Sequence, residues 1–300
     1  MMKIGRHVRL GVTGLSLVGA TLVTPMMAKA QTEPAPSPNT GRLSLSASVD
    51  WTTAYFYRGI LQEDQGIIVQ PGIELGVNLF QGDGTISSVD IFGGIWNSIH
   101  DERTGAPAGD NTGSWYEADL YIGASVTLFQ NISAGMVFTT YTSPADAFDT
   151  INEIAIFASY DDSHLWEEIP WFVGFAPGVT LAIETHGSAF GPDEGVYLEL
   201  SITPTFDFFD EGCLADLEIA VPVVLGLGLD DYYETTDDDD TFGYVSVGIV
   251  GTLPLPIPAE FGQWTLSAGV NFLFLGNNLD DANNDDDFEV IGTLGLGISY

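Results

Sequence analysis

The sequence predicts an all-β fold, a single closed antiparallel up-and-down barrel of about twelve strands that spans a membrane. Three observations predict it. Apolar and polar residues alternate with period two over segments of about 10 to 15 residues. Aromatic side chains collect at the segment ends, as in the girdles of membrane barrels. The chain stops on "EVIGTLGLGISY", where Val290, Leu294, Leu296, Ile298 and Tyr300 share one parity. Ordinary strands average about 5 to 6 residues, whereas a tilted membrane-spanning strand needs about 9 to 11. A soluble β-sandwich would share the alternation but not the segment length or the aromatic placement.

At the amino terminus, Lys3, Arg6 and Arg9 precede an apolar run from Leu10 to Val23, and Ala28-Lys29-Ala30 offers a small-x-small cleavage pattern. Residues 1–30 therefore read as a signal peptide, the run being shorter than the ~20 residues a membrane-spanning helix needs. Residues 31–41, "QTEPAPSPNTG", read as a flexible leader. Residues 42–300 read as the barrel, with strands expected at 42–57, 67–80, 88–99, 115–128, 131–141, 151–160, 171–185, 195–208, 216–229, 242–253, 263–275 and 288–300. An even strand count returns the chain to its starting side, and closure removes exposed edges.

Within each strand, parity assigns the faces. The first segment sets Leu43, Leu45, Ala47, Val49, Trp51, Tyr55 and Tyr57 on one side, and the second Ile67, Val69, Ile73, Leu75, Val77 and Leu79. The ninth does the same with Leu217, Ile219, Val221, Val223, Leu225 and Leu227, and the eleventh with Trp264, Leu266, Ala268, Val270, Phe272 and Phe274. The acids Asp50, Glu74, Asp90, Glu117, Asp119, Glu153, Glu184, Glu199, Asp207, Asp216, Glu218 and Glu289 fall on the opposite parity. If the apolar face meets lipid, these acids and Arg58 are the expected pore-lining residues. Tyr160, Trp171, Phe208, Trp264 and Tyr300 are expected at the periplasmic rim, and Tyr55, Tyr57, Tyr116, Phe138, Phe274 and Phe288 at the outer rim.

Charge narrows the function. The chain carries 42 Asp and Glu against 7 Lys and Arg. Removal of residues 1–30 would leave only Arg42, Arg58 and Arg103. Nucleic acid is thereby excluded as a partner, since every phosphate contact would be repelled. A lumen lined by carboxylates concentrates cations and repels anions, which predicts passive, cation-preferring passage of ions or small hydrophilic solutes. The expected partners are outer-membrane lipid and the barrel-insertion machinery, engaged through the terminal strand ending at Tyr300. A barrel that does not conduct, and whose acidic loops attach to surfaces through divalent cations, is the competing reading.

No catalytic residue is predicted. His100, His164 and His186 are the histidines beyond the signal segment, and no Gly-x-Ser-x-Gly motif accompanies them. Cys213, the single cysteine, has no partner for an internal disulfide. No resident cofactor is expected beyond loosely held divalent cations. The loops "DDYYETTDDDD" and "NNLDDANNDDD" carry the hard oxygen donors calcium favours, with Asp237, Asp238, Asp239, Asp240, Asp281, Asp285, Asp286 and Asp287 as candidate ligands. The second loop is no EF-hand, because Asp286 stands where that motif needs glycine and Gly292 where it needs glutamate.

The stretch "SASVDWTTAYFYRGILQEDQGIIVQPGIELGV", Ser46 to Val77, resembles the amino-terminal motif of the TorF-type porin family of bacterial outer-membrane proteins, through Tyr55, Arg58, Gly59, Ile60, Gln62 and Gln70. Leu61 stands where that family more usually has serine. The resemblance implies a porin-like barrel without catalytic residues.

Overall fold

The computed structural model describes residues 41–101, 114–209, 214, 216–235, 239–283 and 285–300. The expected signal peptide, Arg103, Cys213, Asp237 and Asp238 lie outside the described residues, as does the leader except for Gly41.

Among the described residues, twelve strands close into one antiparallel barrel. They are β1 (Leu43–Thr52), β2 (Ile68–Gln81), β3 (Ile86–His100), β4 (Trp115–Leu128), β5 (Ile132–Thr142) and β6 (Ile151–Tyr160), followed by β7 (Gly178–His186), β8 (Val196–Ile202), β9 (Val223–Asp230), β10 (Phe242–Pro254), β11 (Gln263–Leu275) and β12 (Phe288–Ser299). Each pairs with its neighbours in the chain, and β12 returns to β1 with Ser46 opposite Ser299 and Thr52 opposite Thr293. The ladder thus has no free edge around the ring. Gln81 connects to Ile86, and Leu128 to Ile132, by short links at the end where the chain enters and leaves. We call this the turn end, and the opposite rim, which carries the longer connections, the loop end.

The segments expected at 171–185, 195–208 and 216–229 are each interrupted. Short strands Phe172–Gly174, Thr205–Phe206 and Glu218–Ala220 continue β7, β8 and β9 beyond a break. Pro177, Pro204 and Pro222 stand at the breaks, where the missing N–H removes a ladder bond and the fixed φ bends the chain. Pairing carries across because the carbonyls on either side still accept. Thr203 N donates to Phe175 O (2.6 Å), Val221 N to Pro204 O (2.8 Å) and Gly248 N to Pro222 O (2.8 Å).

Strand parity separates the two faces as alternation requires. Leu43, Leu45 and Trp51 on β1, Ile73, Leu75 and Leu79 on β2, Leu120 and Ile122 on β4, and Met136 and Phe138 on β5 are all exposed. Ile156 on β6, Ile249 on β10, Leu266 on β11, and Val290 and Leu294 on β12 continue the belt. A contiguous apolar band around a closed barrel is a surface built for lipid. No helix among the described residues is long and apolar enough to cross a membrane.

The first expected strand, 42–57, needs correction. β1 ends at Thr52, and Tyr55–Tyr57 turns back to pair with Ile60–Glu63 in a separate hairpin. Tyr57 lies opposite Ile60, and the two residues between them, Arg58 (φ 49°) and Gly59 (φ 85°), both occupy left-handed space, as the tight hairpin turn with two positive φ values demands.

Candidate functional site

The barrel interior is the site, and it has two halves. In the half toward the turn end the wall carries small and polar residues, and its acids are partly open. Asp50 accepts from Ser48 Oγ (3.2 Å), Glu74 from Tyr121 OH (3.0 Å) and Asp90 from Asn78 Nδ2 (2.8 Å). Glu199, on β8, accepts from Tyr197 OH (3.0 Å). Glu218 on its short strand is half-buried, and Glu289, also half-buried, lies instead at the loop end of β12 beside Phe288. Asp207 and Asp216 lie on no strand: Asp207 follows Thr205–Phe206, and Asp216 is exposed in the connection before Glu218.

In the half toward the loop end the lumen is filled by the 55–63 hairpin. Tyr55, Phe56, Tyr57, Arg58 and Glu63 are buried. Arg58 reaches the barrel wall at Glu153 in a bidentate pair, Nη1 to Oε2 at 2.6 Å and Nη2 to Oε1 at 2.8 Å, the arrangement in which guanidinium and carboxylate bind most strongly. Its Nη1 also donates to Tyr232 OH (2.9 Å), and its guanidinium carbon stands 4.3 Å from the centre of the Tyr197 ring and 5.0 Å from that of Tyr57. Burial works against the charge on Arg58, but the Glu153 carboxylate more than offsets it, so the guanidinium is held charged well beyond its ordinary range. Tyr141 OH donates to the same Glu153 (3.1 Å).

Loops from the far side of the barrel close over the hairpin. Tyr233 OH donates to Arg58 O (2.9 Å). Asn283, just beyond the short helix α1 (Asn277–Ala282), accepts from Leu61 N (2.9 Å) and donates to Gly59 O (2.7 Å), so one amide replaces two strand-like bonds. Leu279 of α1 packs so near Gly59 that a β-carbon there would lie 2.7 Å from its methyl. Glycine at 59 is therefore required twice, by φ and by contact.

Three further buried acids lie around the plug, one of them bonded to it. Glu117 accepts from Tyr55 OH (2.9 Å). Asp119, fully buried on the same face of β4, receives no hydrogen bond from a neighbouring N–H or hydroxyl. Glu184 accepts the backbone N–H groups of Ala189 and Gly195, both at 2.8 Å, which folds the β7–β8 connection inward. A second network ties the hairpin to β3. His100 Nε2 lies 2.7 Å from Ser98 Oγ, His100 Nδ1 lies 3.6 Å from Glu63 Oε2, and Gln70 Nε2 donates to Ser98 Oγ (3.3 Å). Serine, histidine and acid meet here, but all three are buried, so the trio braces the hairpin and presents no nucleophile to solvent. His186 is exposed at the end of β7, and His164 lies in the turn Ser163–Leu165.

The aromatic rims divide along the same line. Trp171, Phe208 and Tyr300 are exposed at the turn end, and Phe138, Phe274 and Phe288 at the loop end, while Tyr160 and Trp264 are half-buried. Tyr55 and Tyr57 are not on the outer rim, because the hairpin carries them into the lumen. Tyr116 also leaves that rim. A register shift sets Ser98 opposite Glu117 but Ile99 opposite Trp115, so Trp115 faces out and Tyr116 stacks on His100 with centroids 4.5 Å apart. At the turn end, Pro170, Trp171, Asp207 and Phe208 line an open cavity of about 530 Å³.

Of the expected cation ligands, Asp239, Asp285, Asp286 and Asp287 are exposed, Asp240 is half-buried, and Asp281 lies in α1. Among the described residues no three His, Cys, Asp or Glu side chains gather in a way that could hold a metal ion. Sequence reasoning missed Tyr232, Tyr233, Asn283 and Glu63 as parts of the plug. The signal was present as "YY" inside an acidic run, two large rings that a solvated loop has no use for.

No family model matches the chain, and no curated protein matches it. The TorF-type resemblance accordingly remains a likeness over Ser46 to Val77. Several solved structures are similar in fold. An outer-membrane channel from Pseudomonas putida F1 aligns at 10% identity over 90% of this chain and 100% of its own, with a TM-score of 0.47. The NanC porin aligns at 10% identity over 85% and 98%, with a TM-score of 0.41. The outer membrane channel DcaP of Acinetobacter baumannii aligns at 9% identity over 86% and 96%, with a TM-score of 0.37.

Proposed function

We propose that this chain is an outer-membrane channel for passive, cation-preferring passage of ions or small hydrophilic solutes, closed in the state described here by its own first loop. The reading rests above all on one observation. The inward face of a closed, lipid-belted barrel carries carboxylates on strand after strand, and Arg58 is the one cation inside among the described residues. Negative potential in a low-dielectric tube concentrates cations and excludes anions. Passage requires the 55–63 hairpin to leave the lumen, because its aromatic side chains fill the space between β3, β6 and β8. The turn end, with its short links, would face the periplasm, and the long loops the exterior.

Reversal potentials in planar bilayers under a salt gradient test this reading. Cation selectivity, rising sharply when the hairpin is shortened to join Thr52 to Gly66, is the expected result. Anion preference, or no conductance even in that shortened variant, overturns it.

The packed mouth favours a second reading, a barrel that does not conduct and displays the acidic loops around Asp239, Asp240 and Asp285–Asp287 to bind divalent cations at a surface. Calcium-dependent adhesion of cells that is lost on neutralising those aspartates, with no conductance in any variant, would favour it over the channel.

A further inference from the structure

We propose that the cage around Arg58 is a guanidinium-recognition site which the chain fills with its own side chain, and that solutes bearing a guanidinium group compete for it and release the plug. This rests on the channel reading above and names the solute class that would open it.

The cage belongs largely to the wall and not to the hairpin. Glu153 comes from β6, Tyr141 from β5 and Tyr197 from β8, while Tyr232 comes from the β9–β10 loop. All four are almost fully buried. Together they offer what a planar guanidinium needs and a spherical ammonium does not. Glu153 presents both oxygens to two nitrogens, Tyr232 supplies a hydroxyl acceptor, and the Tyr197 ring provides a face at 4.3 Å. Glu184 and Glu199 lie near enough to feel the charge and deepen the negative field.

The occupant is attached by a strained tether. Arg58 is not glycine, yet it sits at φ 49°, a conformation in which most side chains are disfavoured. Docking the hairpin also orders its whole length, a cost that a free solute does not bear. A small guanidinium compound arriving from the polar turn-end half of the lumen thus meets an acceptor set of the right shape held by an intramolecular ligand under strain. Once Arg58 is displaced, Tyr57 leaves with the hairpin and the four wall and loop residues remain to hold the solute.

The experiment compares methylguanidinium with methylammonium at equal concentration. In wild-type protein in planar bilayers, methylguanidinium should raise the frequency of openings by about tenfold over methylammonium, the factor expected when one bidentate charged contact discriminates. Equal effects would overturn the proposal. In Arg58→Ala the channel should be open without any agent, and methylguanidinium should raise its melting transition in detergent while methylammonium does not, with neither compound changing its openings. If Arg58→Ala conducts cations yet its melting transition ignores methylguanidinium, the cage is wrong and the channel reading stands. If it stays shut but its melting transition in detergent rises with methylguanidinium alone, the cage is right and the channel reading fails. Should Arg58→Ala not fold, Glu153→Gln in the otherwise wild-type chain serves instead. Loss of the methylguanidinium preference there is the expected outcome, and an unchanged preference refutes the proposal.

Discussion

Arg58 combines three burdens that rarely meet in one residue: burial, charge and a left-handed backbone. Each alone would be selected against, and each is compensated by a different neighbour. Glu153 answers the charge, Tyr197 and Tyr57 cover the guanidinium faces, and Tyr233 fixes the carbonyl. Replacement with glutamine keeps the length but removes the charge, leaving Glu153 buried and uncompensated. Such a break typically costs about 3–5 kcal/mol. The barrel ladder does not depend on this pair, so the loss should fall on hairpin docking. Arg58→Gln should become sensitive to limited proteolysis within 54–66 while its heat-dependent gel mobility remains that of a closed barrel. If the gel transition itself falls and the loop stays resistant, the pair belongs to the barrel and not to the plug. Gly59→Ala tests the same turn from the backbone side. Positive φ and the Leu279 contact both oppose a β-carbon, so a cost of more than ~1 kcal/mol and a similar loosening are expected.

At the scale of elements, the turn-end segment 161–177 is organised by one carboxylate. Asp162 accepts from Trp166 Nε1 (2.7 Å), Phe175 N (2.9 Å) and Ala176 N (2.9 Å). Burial pushes its carboxyl up, but the indole and backbone donors outweigh burial and hold it below the ordinary carboxylate range. A depressed value contributes stability that is complete above the unfolded pKa, about 3.9, and is lost as pH falls through the folded one. Trp166 fluorescence should therefore be flat from neutral pH to about 4 and change only below it. Asp162→Asn, which keeps one acceptor oxygen, should remove that acid transition.

The strands themselves were legible because period-two alternation survives any tertiary context that keeps one face in lipid. All twelve are present, from Leu43 on β1 to Ser299 on β12, although β1 stops at Thr52 and β7, β8 and β9 are shortened by the breaks at Pro177, Pro204 and Pro222. The hairpin was not legible, since Tyr55 and Tyr57 continue the parity of β1 and nothing local distinguishes a lipid-facing tyrosine from one folded inward. Gly59 was the one local signal of a turn, and a weak one, because the residue before it is an arginine and not the Asn, Asp or Gly that usually shares a turn with two positive φ values. Likewise Pro177, Pro204 and Pro222 announced breaks that the apolar pattern alone ran straight through. The partners of Arg58 lie 95 residues away at Glu153 and 174 away at Tyr232, separations that no local pattern encodes.

For the whole molecule, the distribution of charge is the feature that links the fold to the proposed passage of cations. A barrel must be apolar outside to reside in lipid, and this leaves the inside free to take any composition the solute requires. Among the described residues, that freedom is used for negative charge, with Arg58 the single exception. A lysine should therefore have opposite consequences on the two faces. At Leu75, exposed at the middle of β2, it would place a charge in hydrocarbon, with a cost of about 2–4 kcal/mol near the midplane. Leu75→Lys should lower the yield of folded barrel in lipid vesicles without altering selectivity in the fraction that inserts. At Ser48 on β1, beside Asp50 on the lumen side, the same side chain would meet carboxylates and water. Ser48→Lys should insert normally and shift the reversal potential toward anions. Equal loss of insertion in both variants would mean that the interior is as dry as the exterior, and a plug confined to the loop-end half could not then account for the closed state.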